Sequence, residues 1–252
     1  MKTFAIINSK GGVGKTTTAK NLAYLLATEH GKDVLLIDAD HQGNASTVGK
    51  QTGRDGLVSV LQGSDFRGAV VRTDVKGIDL LPATEELEDI TLECLTGQRK
   101  PDFMALHRFL DIMADDYDVC VIDCPPNYSV SCLNAIVAAD RIIIPADTSA
   151  YSAEGMGRLV KQIGSMRSVG MGVGVSGILM TKVSGSDIDR QAVELMRENA
   201  PVHVFDTVIR PSYKPVTRSS WECVSSCENS PWCNASRDYR AWVAELCERE
   251  GL

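Results

Sequence analysis

The chain has 252 residues, 44% of them hydrophobic, and a formal net charge of −7 at pH 7, enough apolar material and length for an α/β chain to form one domain over residues 1–252. The acidic balance argues against a generally basic nucleic-acid binder. No run of about 18 apolar residues is present to span a membrane, and nothing at the start has the form of a signal peptide, so a cytoplasmic protein without a membrane partner is expected.

In chain order, FAIIN (4–8) is the first predicted strand, and SKGGVGKTTTAKN (9–21) follows at once. Gly11, Gly12 and Gly14 let the backbone curl so that successive N–H groups point inward, and a helix predicted over 16–30, beginning near Lys15, adds its positive end. Such a stretch, Gly11, Gly12, Val13, Gly14, Lys15, Thr16 and Thr17, cradles phosphates, with Lys15 reaching the β- and γ-phosphates and the Thr16 hydroxyl coordinating Mg²⁺. It departs from G-x-x-x-x-G-K-[ST] in one respect: Ser9 stands where the first glycine belongs, followed by an extra lysine, Lys10. The second strand, DVLLID (33–38), ends in Asp38 with Asp40 just beyond. Alternate side chains of an extended chain share a face, so both carboxylates can point to the glycine loop, one serving Mg²⁺ and one orienting a water. A third strand, IDLLPA (78–83), and a helix over 101–116 lead to DVCVID (118–123), whose Asp123 has the form of a Walker B acid. RIIIPA (141–146), a helix over 152–169, GVSGILMT (174–181), a helix over 186–200 and HVFDTVI (203–209) complete the alternation. Most of these strands lack polar alternation, as strands buried on both faces do. They predict a P-loop NTPase fold: a mostly parallel twisted sheet of about seven strands with helices on both faces and its chemistry at the carboxyl ends of the strands.

KGGVGKTTT, LLIDADHQGN and VIDCPPN, in this order and spacing, resemble the ParA/MinD family of deviant Walker A ATPases, most closely its partition branch, and the likeness runs from Lys2 to about Arg210. The resemblance implies an Mg²⁺-dependent ATPase whose two protomers sandwich two ATP molecules, Lys10 being the signature lysine that reaches the other protomer's phosphates. A cation supplied in trans completes the charge-stabilising site only in the homodimer, which couples hydrolysis to association. It further implies catalytic roles for Lys10, Lys15 and Asp40, the last on the hydrolytic water. Thr16, Asp38 and Asp123 become the Mg²⁺ environment, and Thr181 and Pro211 the base contacts. Family members bind DNA without sequence preference, work with a ParB-like centromere-binding protein that stimulates hydrolysis, and act on the nucleoid in plasmid or chromosome partitioning. The alternative within the family is an ATPase that positions a protein cargo or division component. One departure is His41, where partition members usually have proline: it frees a backbone N–H and adds a titratable ring.

The charge is uneven. Residues 155–186 carry Arg158, Lys161, Arg167 and Lys182 and no acid, and residues 207–221 carry Arg210, Lys214 and Arg218 and again none. A local phosphate-binding face on an acidic chain is thereby permitted, with Arg210, Lys214 and Arg218 as candidate DNA contacts. The stretch around them lacks the acidic-alanine pattern many family members show. At the C-terminus Tyr239, Trp242, Val243 and Leu246 make an apolar stripe, but Glu245, Glu248 and Glu250 would repel an anionic leaflet, so this helix is expected on the core and not on a membrane. Eight cysteines (94, 120, 124, 132, 223, 227, 233 and 247) are scattered through the chain. Cys223, Cys227 and Cys233 offer only one half of a zinc-type pattern, and reduced thiols are expected.

Overall fold

The computed structural model describes all residues except 49–55, 64–67, 152–157, 159–160, 166–167, 169–172 and 222–223. Its strands are β1 (Lys2–Ile6), β2 (Val34–Asp38), β3 (Val71–Arg72), β4 (Ile78–Leu81), β5 (Val119–Asp123), β6 (Arg141–Ala146) and β7 (Gly174–Met180). They form one seven-stranded sheet in the order β3-β4-β2-β5-β1-β6-β7, parallel throughout except for β3 against β4. Among the described residues the helices include α1 (Lys15–Thr28), α2 (Gly56–Leu61), α3 (Glu86–Leu95), α4 (Ala105–Met113), α5 (Val130–Ala138), α6 (Asp187–Asn199), α7 (Tyr213–Trp221), the single turn α8 (Ser226–Asn229) and α9 (Asn234–Glu250).

Successive strand residues feed two separate cores. Phe4, Ile6, Val34 and Leu36 pack with Leu22, Leu25 and Leu26 of α1 and with Tyr239, Trp242, Val243 and Leu246 of α9. Ala5, Leu35 and Ile37 pack on the other side with Leu106 and Phe109 of α4, Ile136 of α5 and Met196 of α6. The absence of polar alternation in these strands therefore reflects burial on both faces. The C-terminal stripe is buried as its helical spacing requires, Trp242, Val243 and Leu246 being 0% exposed.

One predicted strand does not form. Residues 203–209 form no continuous ladder with β7: the backbone is bridged in parallel only at Val204 with Ile178 and, just past the strand, at Ile209 with Thr181. Between these points the N–H groups of Asp206 and Thr207 donate to the Glu245 carboxylate of α9 at 2.7 and 2.9 Å, so the donors a ladder needs are used elsewhere. The seventh strand is instead β3, a two-residue antiparallel edge too short to show a hydrophobic period. The helix predicted over 152–169 lies largely outside the described residues, and 161–165 within it are helical. Among the described residues no helix is long and apolar enough to cross a membrane.

Candidate active site

The central strand β1 delivers the glycine loop to the carboxyl edge of the sheet. Gly12 and Gly14 have φ of 74° and 92°, a left-handed backbone in which side chains are disfavoured. A Cβ placed on Gly11, Gly12 or Gly14 would meet nothing within 4 Å, so the loop borders open space. α1 starts directly after Gly14 with no side-chain cap, leaving its first N–H groups available to an anion. Gly11, Gly12, Val13, Gly14, Lys15, Thr16 and Thr17 line a cavity of about 480 Å³ together with Asp40, Thr181 and Pro211.

The neighbouring strand ends supply carboxylates. Asp38 and Asp123 lie in register on β2 and β5, both fully buried, but their surroundings differ. Asp38 Oδ1 accepts from the Asp40 N–H at 3.1 Å, and Oδ2 accepts from the Ser46 N–H at 2.6 Å and its hydroxyl at 2.8 Å. Asp123 has no hydrogen-bond partner for either oxygen among the described residues. Burial, with the charge of Asp38 second, pushes the Asp123 carboxyl well above the ordinary range, although the Thr16 hydroxyl and the Lys15 ammonium favour its charged form. Burial likewise pushes Asp38 up to about 6, against the hydrogen bonds from Ser46 and Asp40. A buried acid without partners is costly unless a cation or proton joins it. Asp123 therefore has the donor chemistry for a hard divalent ion, with Thr16 beside it. Asp38 spends both oxygens on fastening the turn that carries Asp40, an anchor eight residues long that no spacing rule announces. Asp40 itself is 8% exposed, and His41 sits with Nδ1 3.6 Å from Asp40 Oδ1 and Nε2 3.9 Å from Glu88 Oε2.

The lysines divide by partner. Lys15 is buried and its Nζ rests on the Lys10 carbonyl at 3.3 Å. Lys10 points away from the cavity: its Nζ lies 2.7 Å from Asp147 Oδ2 and 2.5 Å from Ser149 Oγ. Burial raises the Asp147 carboxyl, but the Lys10 ammonium and the Ser149 hydroxyl outweigh it and hold the group below the usual carboxylate range. Asp147 follows β6 as Asp123 ends β5, so the strand-end rule that found the other acids would have found it too.

Thr181, expected at a base, donates its hydroxyl to the Val13 carbonyl at 2.8 Å. Arg210 adjoins Pro211 at the cavity, but its guanidinium is held by Asp238 of α9, with Nη2 2.7 Å from Oδ1 and Nε 2.9 Å from Oδ2. On α7, Tyr213, Val216 and Thr217 line the cavity, whereas Lys214 and Arg218 are exposed and, four residues apart, share another face. Among the described residues no group of three or more His, Cys, Asp or Glu side chains is placed to hold a metal by itself. Cys227 is buried and Cys233 caps α9 by accepting from the Ser236 N–H. Cys223 and Arg167 fall outside the described residues.

A glycine loop on a central strand, flanked by a buried acid on the next strand, is the arrangement of a P-loop nucleoside triphosphatase, and the lysine ahead of the glycines sets it in the deviant class. Residues 1–170 match the family described as AAA domain. The chain is 34% identical to the chromosome partitioning protein ParA of Caulobacter vibrioides, over 90% of each chain. It is also 34% identical to the chromosome-partitioning ATPase Soj of Thermus thermophilus, over 99% of this chain and 96% of that one. Among solved structures it resembles cobyrinic acid a,c-diamide synthase from Mycobacterium smegmatis with bound ATP analog and magnesium. The TM-score is 0.81 and the identity 27%, over 100% of this chain and 96% of that one. The chain belongs to the ParA/Soj family of P-loop ATPases.

Proposed function

We propose that this ATPase is a partition switch: it binds ATP with Mg²⁺, forms a sandwich homodimer, binds DNA without sequence preference in that state, and is reset by a ParB-like centromere-binding partner that stimulates hydrolysis on the nucleoid. The observation that carries the reading is the buried Asp123 carboxyl, its oxygens without a hydrogen-bond partner among the described residues, beside Thr16 and Lys15 at the glycine loop, donor chemistry that suits a divalent cation next to a bound anion. The nucleotide and its Mg²⁺ supply the phosphoanhydride bond and a neutralising charge. The chain supplies the rest. Loop N–H groups from Gly11 to Thr17 and the Lys15 ammonium hold the phosphates, Thr16 and Asp123 hold the cation, and Asp38 fixes the turn that lets Asp40 orient a water. Thr181 and Pro211 border the base region. Lys10 leaves Asp147 and Ser149 to serve the partner's phosphates, so the charge-stabilising set is complete only in the dimer.

DNA binding is supported by the exposed pair Lys214 and Arg218 on α7, a segment without acidic residues. Two such faces in a rigid dimer gain affinity through effective concentration. The experiment is phosphate release, size-exclusion and mobility shift on random-sequence duplex at low salt, each with ATP and with ADP. ATP-specific dimers that shift DNA are the expected outcome. Dimers and turnover without a shift would move the assignment to positioning of a protein cargo, and the absence of an ATP-dependent dimer would overturn the switch.

A further inference from the structure

Lys182 is the single non-glycine residue with positive φ among the described residues, at 58°. A lysine has no local hydrogen bond with which to offset this left-handed backbone, as asparagine or aspartate would, so a long aliphatic cation is an unfavourable choice there. Strain kept at a site bordering the nucleotide cavity directs attention to what the side chain does. Its ammonium reaches back across the sheet edge and donates to the Gly12 carbonyl at 2.5 Å. The preceding residue, Thr181, donates to the Val13 carbonyl, and Lys15 donates to that of Lys10.

Each peptide unit is planar and trans, so its N–H points opposite to its carbonyl. A donor on the carbonyl of Lys10, Gly12 or Val13 therefore sets the direction of the N–H of Gly11, Val13 or Gly14. In a glycine-rich loop these orientations are otherwise soft, because Gly12 and Gly14 accept many backbone states. The Lys15 contact, at 3.3 Å, is the longest of the three, and Lys15 is the side chain that phosphates would recruit. Once it turns to an anion, Thr181 and Lys182 are the remaining donors of this set.

We propose that Lys182 is a positioning residue for ATP binding: from the end of β7 it clamps the back of the phosphate loop so that the loop's N–H groups stay turned toward the phosphates. This rests on the nucleotide-binding reading of the same loop. The clamp couples the loop to β7, and through the Val183 N–H on the Ile209 carbonyl at 3.1 Å to the segment that leads into Pro211. Loop order and the base side of the cavity are thus set by one strand end.

The test uses the full chain with Lys182→Asn, Lys182→Gly and Lys182→Arg, measuring nucleotide affinity by equilibrium titration and the thermal midpoint without nucleotide. Asparagine and glycine relieve the backbone and remove the cation, so the midpoint should hold or rise while ATP and ADP affinity falls about tenfold, the scale of one charge-assisted hydrogen bond. Arginine keeps a donor and should restore affinity to within about threefold. These opposite movements of stability and affinity distinguish a clamp from a merely structural residue. Unchanged affinity in the asparagine and glycine variants would overturn the clamp alone. So would an affinity loss that tracks a fall in the midpoint and is not restored by arginine. Failure of the unmodified chain to bind nucleotide, with Lys15→Ala indistinguishable from it, would overturn the nucleotide reading and the clamp together.

Discussion

Asp38 and Asp123 stand at equivalent positions on adjacent strands, and sequence alone treats them alike: an acid closing an apolar run. What separates them is hydrogen bonding, since Ser46 and the Asp40 N–H occupy Asp38 while neither Asp123 oxygen has a hydrogen-bond partner among the described residues. Asp40→Ala removes the carboxylate proposed to orient the water and keeps the backbone N–H that bonds Asp38. Turnover should fall about a hundredfold or more while ATP binding persists and dimers accumulate on a sizing column; retained turnover would strip Asp40 of its role. A second prediction concerns Lys10. Its pair with Asp147 has side chains 49% and 21% exposed, so it contributes about 0.2–1 kcal/mol. A sandwich dimer must break two such pairs. Asp147→Asn should accordingly lower the protein concentration needed for ATP-dependent dimerisation, by up to about 30-fold if both pairs contribute fully. A threshold that stays put or rises would show that the pair does not restrain Lys10. The identities of the loop, Asp38, Asp40 and Asp123 were legible because strand ends and glycine spacing are local signals. The fastening of Asp38 by Ser46 and the cis partner of Lys10 were not, because both depend on which loops meet at the sheet edge.

At the scale of an element, α9 joins its ends to the rest of the chain by different physics. Its middle is apolar burial: Trp242 is 0% exposed and meets Phe205 and Tyr239 edge-on at centroid distances of 5.8 and 6.1 Å. Trp242→Ala should cost about 3–5 kcal/mol. Trp242→Phe should cost much less, because the indole Nε1 is buried without a partner among the described residues and its removal sacrifices no hydrogen bond. Equal losses in urea unfolding would mean the indole ring's shape, not its apolar area, holds the helix. The end of the helix is electrostatic. Glu250 accepts from Arg141 Nε at 3.1 Å and the Ser176 hydroxyl at 2.7 Å and pairs with Lys2 at 2.9 Å. Burial raises its pKa, but these three partners outweigh burial and hold it below the ordinary glutamate value. A depressed carboxyl contributes stability that is present above the unfolded pKa and lost as pH falls through the folded one. Glu250→Gln should therefore lower stability by about 1–3 kcal/mol near neutral pH, and the gap to the unmodified chain should close as acid protonates Glu250. A gap independent of pH would assign the loss to packing. The apolar stripe could be read from its helical spacing, while partners 248, 109 and 74 residues distant could not. The same distance explains the failed strand at 203–209, whose apolar content is real but whose donors were taken by Glu245.

For the molecule as a whole, the strand order places the chemistry in a row along one edge: Asp38 on β2, Asp123 on β5, the loop after β1, Asp147 after β6 and Thr181 with Lys182 after β7. The net charge of −7 says little about DNA against this background, because affinity for phosphates depends on a local face and not on the total. The structure sharpens which face to test. Arg210 is engaged by Asp238 and so fastens the Pro211 side of the cavity to α9; reversing its charge should disturb the cavity as well as any DNA contact. Lys214 and Arg218 lie exposed on α7, outside the cavity lining. Lys214→Glu with Arg218→Glu should therefore keep ATP-dependent dimerisation and lose retention of random-sequence duplex. Each phosphate neutralised adds about −0.9 to the slope of log affinity against log salt, so removing two contacts from each protomer of a dimer flattens the slope by up to about 3.6. Mobility shift at several salt concentrations, with dimerisation followed in parallel, reads both quantities. A double variant that dimerises and binds DNA with an unchanged slope would place the DNA face elsewhere, with the exposed Arg158 and Lys161 next in line. A variant that loses dimerisation together with DNA would instead tie α7 to the nucleotide interface.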